Sequence, residues 1–175
     1  VLKAAIIKDI NAHKKPFAVI ASAGTTNTGS VDPLPQIAAL CREYDLWMHV
    51  DGAYGASALL SDQYRKNLSG ISLSDSLSWD AQSSADSVEF WDLGPELTRP
   101  ARSLKLWLTL QAMGTDAMEK IIDHGCALAQ LAQRLISQSP DWEIVSPAQL
   151  GIINFRYISH RQLSPRELDR INQNI

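Results

Sequence analysis

The chain has 175 residues, 45% apolar and 20% charged, with a net charge of −3. That balance supports a folded core rather than a disordered chain, and the slight acidity argues against a general binder of nucleic acid or anionic membrane. No apolar run reaches the length of a membrane-spanning helix. The sequence therefore reads as a cytoplasmic protein with neither membrane nor nucleic acid as a partner. Cys41 and Cys126 match no metal or redox spacing and read as buried thiols in a reducing compartment, so no metal site is expected. The opening VLKAAIIKDINAHKK lacks the layout of a signal peptide and reads as an amphipathic helix already under way.

Leu2, Ala5, Ile6 and Ile10 share one face of that helix, which ends before Pro16. Phe17-Ala18-Val19-Ile20-Ala21 predicts a buried strand. A loop rich in glycine and hydroxyls follows, Ala23-Gly24-Thr25-Thr26-Asn27-Thr28-Gly29-Ser30. Pro33 and Pro35 introduce a helix carrying Ile37, Leu40 and Cys41. Leu46-Trp47-Met48-His49-Val50 reads as a second buried strand, ending at Asp51 and the small residues Gly52, Ala53, Gly55 and Ala56. Strand, loop, helix and strand in that order make a parallel crossover, which brings Thr25-Thr26 and Asp51 to one sheet edge.

Residues 61–68 read as a surface helix or turn, 76–80 as a third strand, and 81–87 as a small, polar linker. Phe90, Trp91 and Leu93 interrupt that polar stretch as apolar anchors. A helix runs from Ala101 to Gly114, with Leu104, Trp107, Leu108, Gln111 and Ala112 on one face. A second helix, from Asp116, carries Met118, Ile121, Ile122, Gly125, Ala129, Ala132 and Leu135 at the spacing of a packing face. Short strands at 142–145 and 151–157 precede a helix that opens on Ser164-Pro165-Arg166-Glu167, the capping-box form. The end of the chain thus reads as a small α+β unit.

Asp51 is the residue with the most chemistry attached to it. In open α/β sheets, ligands bind beyond the carboxyl ends of the strands. A carboxylate there wants a cation, a metal or a protonated ring beside it, unless it only caps the turn that follows. The glycines Gly24, Gly29 and Gly55 do not form the G-x-G-x-x-G of a dinucleotide site. A metal would need a second ligand, and His49, two residues away on the same side of the strand, is as well placed to be a core or dimer-contact residue. A pyridine ring gives the acid a definite task. Asp51 would keep the ring nitrogen of pyridoxal 5′-phosphate protonated, and small Ala53 would lie against the ring face.

GTTNTGSVDPLPQIAALCREYDLWMHVDGAYGASALLS resembles the pyridoxal-phosphate-dependent group II amino-acid decarboxylases. The blocks DLGPELTRPARSLKLWLTLQAMG and LGIINFR are similar to later segments of the same family, so the likeness extends over most of the chain. The resemblance implies the aspartate-aminotransferase-like fold (fold type I): an α/β large domain, here partial over 1–112, and the start of a small α+β C-terminal domain over 113–175. It implies a homodimer with pyridoxal 5′-phosphate as cofactor. The implied reaction is decarboxylation of an L-amino acid, aromatic ahead of diaminobutyrate or glutamate. Carried over by position, Asp51 would pair with the pyridine nitrogen and Ala53 would pack on the ring. Thr25 would lie by the cofactor or the substrate carboxylate, and His49 behind the site. Thr26 would shape its turn, and Arg99 and Arg102 would support a mobile loop or an ion pair.

One departure stands out. The family follows the strand at 76–80 with a small residue and then His-Lys, whose lysine forms the Schiff base to the cofactor. Here Asp80-Ala81 runs into Gln82-Ser83-Ser84, and the next lysine is Lys105, inside a block that resembles a different family segment. The Schiff-base lysine expected after Ala81 is absent, together with a few dozen residues, and these 175 residues alone are expected to be inactive. The competing expectation is a non-catalytic homologue that keeps the fold for dimerisation or regulation.

Overall fold

The computed structural model describes residues 1–79, 102–159 and 163–173. Three parallel strands carry the first part of the chain: β1 (Ala18–Ser22), β2 (Trp47–Asp51) and β3 (Ser76–Ser78), in the order β1-β2-β3. Helix α1 (Leu2–Asn11) precedes β1 and α2 (Leu34–Glu43) connects β1 to β2. The register pairs Ser22 with Asp51 and Asp51 with Ser78, so all three strands end level with one another. The expected α/β architecture is present, and the two polar loops do emerge at a common edge.

Side chains on a strand alternate between faces, and only one face of this sheet is buried. Ala21, Met48 and Val50 pack with Leu34, Ile37, Ala38 and Cys41 of α2. Their neighbours Ile20 and Trp47 are 72% and 53% exposed. The expectation that β1 and β2 are buried throughout is therefore corrected. Parallel sheets ordinarily carry a layer on both faces, and their apolar runs reflect that. Among the described residues only one layer exists.

The link from β2 to β3 is a series of three short 3-10 turns, Gly55–Leu60, Arg65–Leu68 and Ile71–Leu73. The reading of 61–68 as a surface helix or turn holds for Asp62, Gln63, Arg65, Lys66 and Asn67, which are exposed, while Ser61, Tyr64 and Leu68 face inward and are buried. Ser61 is the reason the segment folds inward. Its hydroxyl donates to Asp123 Oδ1 at 2.5 Å and accepts from the Tyr64 amide at 3.1 Å. Beside it, the Asp62 amide donates to Glu119 Oε1 at 2.8 Å and Gln130 Nε2 donates to the Tyr64 hydroxyl at 3.2 Å. Ser61→Ala strips a buried amide and a carboxylate of one partner each and is expected to cost about 2 kcal/mol in urea unfolding. A loss below about 0.5 kcal/mol, the level of an ordinary surface substitution, would contradict this packing.

Those acids belong to α4 (Thr115–Ser137), which follows α3 (Arg102–Met113) after Gly114. The predicted packing face of α4 is half right. Of that face Ala129 is buried and Ile122 packs on the core, whereas Ile121 and Leu135 are more than half exposed; Cys126, outside the predicted face, is buried. The helix is apolar on more than one side, so spacing alone could not pick the inner one. The first strand of the pair that follows is longer than expected: β4 (Trp142–Gln149) pairs antiparallel with β5 (Ile152–Tyr157). Trp142 meets the rings of Phe155 and Tyr157 edge-on at 5.5 and 5.4 Å. Helix α5 (Pro165–Asn172) starts on the predicted capping box, with both Ser164 and Glu167 hydrogen bonds present.

The hairpin turn between β4 and β5 ties the two ends of the chain together. Leu150 sits there at a φ of 53°, an uncommon conformation for a branched side chain, and is buried in the same cluster as Met48 and Val50. Burial of a leucine, worth about 2 kcal/mol, offsets strain of similar size. Among the described residues, no helix is long and apolar enough to cross a membrane.

Candidate functional site

The loop carrying Thr25 and the turn carrying Asp51 and Ala53 leave the sheet at the same end, where β1 and β2 finish level. The 23–30 loop turns back on itself through Gly24 and Thr25 amides donating to the Ser30 carbonyl, both at 3.0 Å. A chain of hydroxyls stiffens it: Thr25 Oγ1 lies 2.8 Å from Thr28 Oγ1, which lies 2.7 Å from Ser30 Oγ. Asn154 Nδ2 of β5 donates to the Asn27 carbonyl at 2.9 Å, so the hairpin braces the loop from outside. Thr25 is half-buried within this network, while Thr26 faces solvent.

The loop and the turn after Asp51 touch backbone to backbone. A Cβ on Gly55 would collide with the Ala23 carbonyl oxygen and lie 2.9 Å from the Gly24 Cα. Gly24 itself has a φ of +93°. Glycine at both positions is what lets the two segments cross. Tyr54 anchors the turn from the other side, with its hydroxyl bonded to the Gly151 backbone, and burial pushes its phenol above the usual range. Between this turn, α4 and the hairpin lies a cleft of about 250 Å³, lined by Tyr54, Ser57, Ile122, Cys126 and Leu150 among others. Cys126 and Cys41 are free and buried, and burial raises both thiols above their ordinary value.

Asp51 itself is exposed at the strand end. Its Oδ1 accepts from the Ala53 amide at 3.1 Å and from Ser78 Oγ at 3.2 Å. The first of these is the turn cap that the sequence also allowed. Among the described residues, no donor reaches Oδ2 and no cation pairs with the carboxylate. His49 lies on the same face two residues earlier, its Nδ1 2.8 Å from Ser76 Oγ. Trp47 Nε1 donates to that same hydroxyl at 2.8 Å. The structure thus places His49 and Asp51 on one face of β2, with Ala53 in the turn after it and Thr25 in the loop after β1, whose end is level with that of β2. Arg99, the side chain of Arg102 and the junction after Ala81 lie outside the described residues.

Ser76 and Ser78 were not singled out from the sequence. The available signal was their spacing: two serines at i and i+2 on a strand share a face, and that face is the one that carries His49 and Asp51.

A flat, cationic heteroaromatic ring fits what is present. A carboxylate oxygen is free to accept its N–H, and the next residues, Gly52 and Ala53, put no bulk in the way. The sequence after Ala81 carries no His-Lys to supply an amine that would hold an aldehyde covalently.

Comparison with known proteins gives the class to which this α/β domain belongs. The chain belongs to the family described as the pyridoxal-dependent decarboxylase conserved domain, which matches residues 1–85 and 81–158. It is 38% identical to the aromatic-L-amino-acid decarboxylase of Bacillus atrophaeus over 210 aligned positions, covering 99% of this chain and 44% of that protein. A 4-hydroxyphenylacetaldehyde synthase of Rhodiola rosea is 26% identical, with 98% of this chain and 43% of the relative covered.

Among solved structures, tryptophan decarboxylase of Catharanthus roseus in complex with L-tryptophan superposes with a TM-score of 0.83 at 26% identity, over 99% of this chain and 42% of that one. The glutamate decarboxylase domain of a Vibrio parahaemolyticus diaminobutyrate enzyme gives 0.83 at 28% identity, over 99% and 39%. The chain spans less than half the length of the relatives it matches. The fold type I assignment follows directly from these superpositions.

Proposed function

We propose that these residues are the cofactor-facing part of a pyridoxal-phosphate-dependent carboxy-lyase acting on an aromatic L-amino acid. The observation that carries the reading is the Asp51 carboxylate, with Oδ1 held by two donors and Oδ2 open beside Ala53. Pyridoxal 5′-phosphate, when bound, supplies an electron-accepting ring that stabilises the carbanion left as CO2 departs. Asp51 would hold the proton on the ring nitrogen and so keep the ring electron-poor. Ala53 would pack flat against the ring. Thr25, its hydroxyl fixed by Thr28, would orient the cofactor or the substrate carboxylate. His49 would line the floor behind Asp51. The aromatic preference is supported by the 38% identity to an aromatic-L-amino-acid decarboxylase. Homodimerisation and a cytoplasmic location are part of the same reading, as is a division of the chain near residue 112.

The lysine that would hold the cofactor covalently belongs to a segment missing at the junction after Ala81. Two family matches that meet at residues 81–85 support this. So does an alignment of 210 positions for a chain of 175 residues. The absent lysine also keeps a second reading alive, a non-catalytic homologue retained for dimerisation or regulation. The protein isolated from its own source separates the two. A mass above the 19.3 kDa of these residues, with CO2 released from an aromatic amino acid in a substrate panel, is the expected result. Exclusive glutamate turnover would overturn the substrate. A mass of 19.3 kDa with no CO2 from any amino acid would establish the non-catalytic reading instead.

A further inference from the structure

We infer that Ser78 is a positioning residue that aims the Asp51 carboxylate at the ring nitrogen; the inference rests on the reading of Asp51 given above. A carboxylate turns easily about its last torsion, which has only a broad two-fold preference. Left alone on a strand end, Asp51 would present either oxygen in many directions. Two donors converge on one of its oxygens: the Ala53 amide at 3.1 Å and Ser78 Oγ at 3.2 Å. The amide alone fixes a point of contact. The second donor, arriving from the neighbouring strand, fixes the carboxylate plane. Oδ2 is then the oxygen left over, and no described residue donates to it.

The choice of residue at position 78 makes sense in these terms. Ser78 is the registered partner of Asp51 in the β2–β3 pairing, so the two side chains rise from the same face side by side. β3 is an edge strand among the described residues, and strand positions ordinarily favour β-branched or aromatic residues over serine. A hydroxyl donates one hydrogen bond and brings no charge. Lysine or arginine at the same place would satisfy the Asp51 charge and compete with a protonated ring. Ser78 therefore orients the acid without neutralising it. Ser76, one pleat lower, stands in the same relation to its own partner, with Oγ 2.8 Å from His49 Nδ1.

Threonine and valine at position 78 have nearly the same shape, suit a strand better than serine, and differ in the hydroxyl alone. The test uses pyridoxamine 5′-phosphate labelled with 15N in the ring. It carries no aldehyde and so cannot condense with surface lysines. Two quantities are read for the full-length protein: the dissociation constant, and the pH midpoint at which the bound ring nitrogen loses its proton. The wild-type chain and Ser78→Thr should hold that proton to higher pH than free ligand does. Ser78→Val should lower the midpoint towards the free value and weaken binding roughly threefold, the size of one modest hydrogen bond. Asp51→Asn should abolish the upward shift altogether.

If Asp51→Asn collapses both readings while Ser78→Val matches Ser78→Thr, Ser78 has no positioning role and the Asp51 assignment stands. If Thr and Val variants are equally impaired, the hydroxyl is not the cause and the inference is overturned. If Asp51→Asn changes nothing, or the wild-type chain binds no ligand, the assignment of Asp51 falls and the role of Ser78 falls with it.

Discussion

Asp51→Asn is expected to weaken binding of pyridoxamine 5′-phosphate to this chain by roughly tenfold and to leave the fold intact. Asparagine has the same shape, and its Oδ1 still accepts from the Ala53 amide and from Ser78. What it loses is the charge facing the ring nitrogen. A charge-assisted hydrogen bond is about twice as strong as a neutral one, but Asp51 is exposed among the described residues, so solvent screening keeps the loss near 1–2 kcal/mol. In the proposed full-length decarboxylase, with water excluded, removing one such electrostatic contact would cost on the order of 10²-fold or more in turnover. Asp51→Ala should behave alike in turnover. Near-normal turnover of either variant in the full-length enzyme would remove Asp51 from the site.

Gly55→Ala is expected to be the most destabilising of the small substitutions near the site, by about 3 kcal/mol in urea unfolding. The added methyl would run into the Ala23 carbonyl oxygen and lie 2.8 Å from the Ala23 carbonyl carbon and 2.9 Å from the Gly24 Cα. All three obstacles are backbone, so no rotamer change can relieve them. Ala23 is also tied down, as its amide donates to the Asp51 carbonyl at 2.7 Å. Relief requires the 23–30 loop and the Asp51 turn to separate, which moves Thr25 away from Asp51. Gly125→Ala is the useful control: its φ, like that of Gly55, is ordinary, and nothing lies within 4 Å of its Cβ position, so no clash is expected there. A loss for Gly55→Ala no larger than that for Gly125→Ala would mean that the crossing of the two loops is not close packed.

How far the sequence was legible depended on whether the cause was local. The crossover from β1 through α2 to β2 was readable because apolar runs, prolines and glycines punctuate it without ambiguity. The capping box at Ser164 was readable because both partners lie within four residues. Asp51 stood out because an acid closing an apolar strand is costly unless something answers it. What escaped was set by pairing between distant residues. Ser61 looked like a surface residue until Asp123, 62 positions away, supplied its partner. Ser78 had no visible task until β3 was registered against β2. The exposed faces of β1 and β2 escaped for a different reason. Ile20 and Trp47 are apolar like core residues, and nothing in an apolar strand says which of its two faces finds a covering layer.

The central claim is that the joint end of β1 and β2 is a pyridoxal-phosphate site. Backbone amide chemical shifts of the 15N-labelled full-length protein, followed during titration with pyridoxamine 5′-phosphate, test it most directly. The account predicts saturable changes centred on Thr25, Gly52, Ala53 and Ser78, with the Lys14 and Lys15 region unmoved. A titration that never saturates, or changes confined to surface lysines and to the cleft beside Cys126, would contradict it.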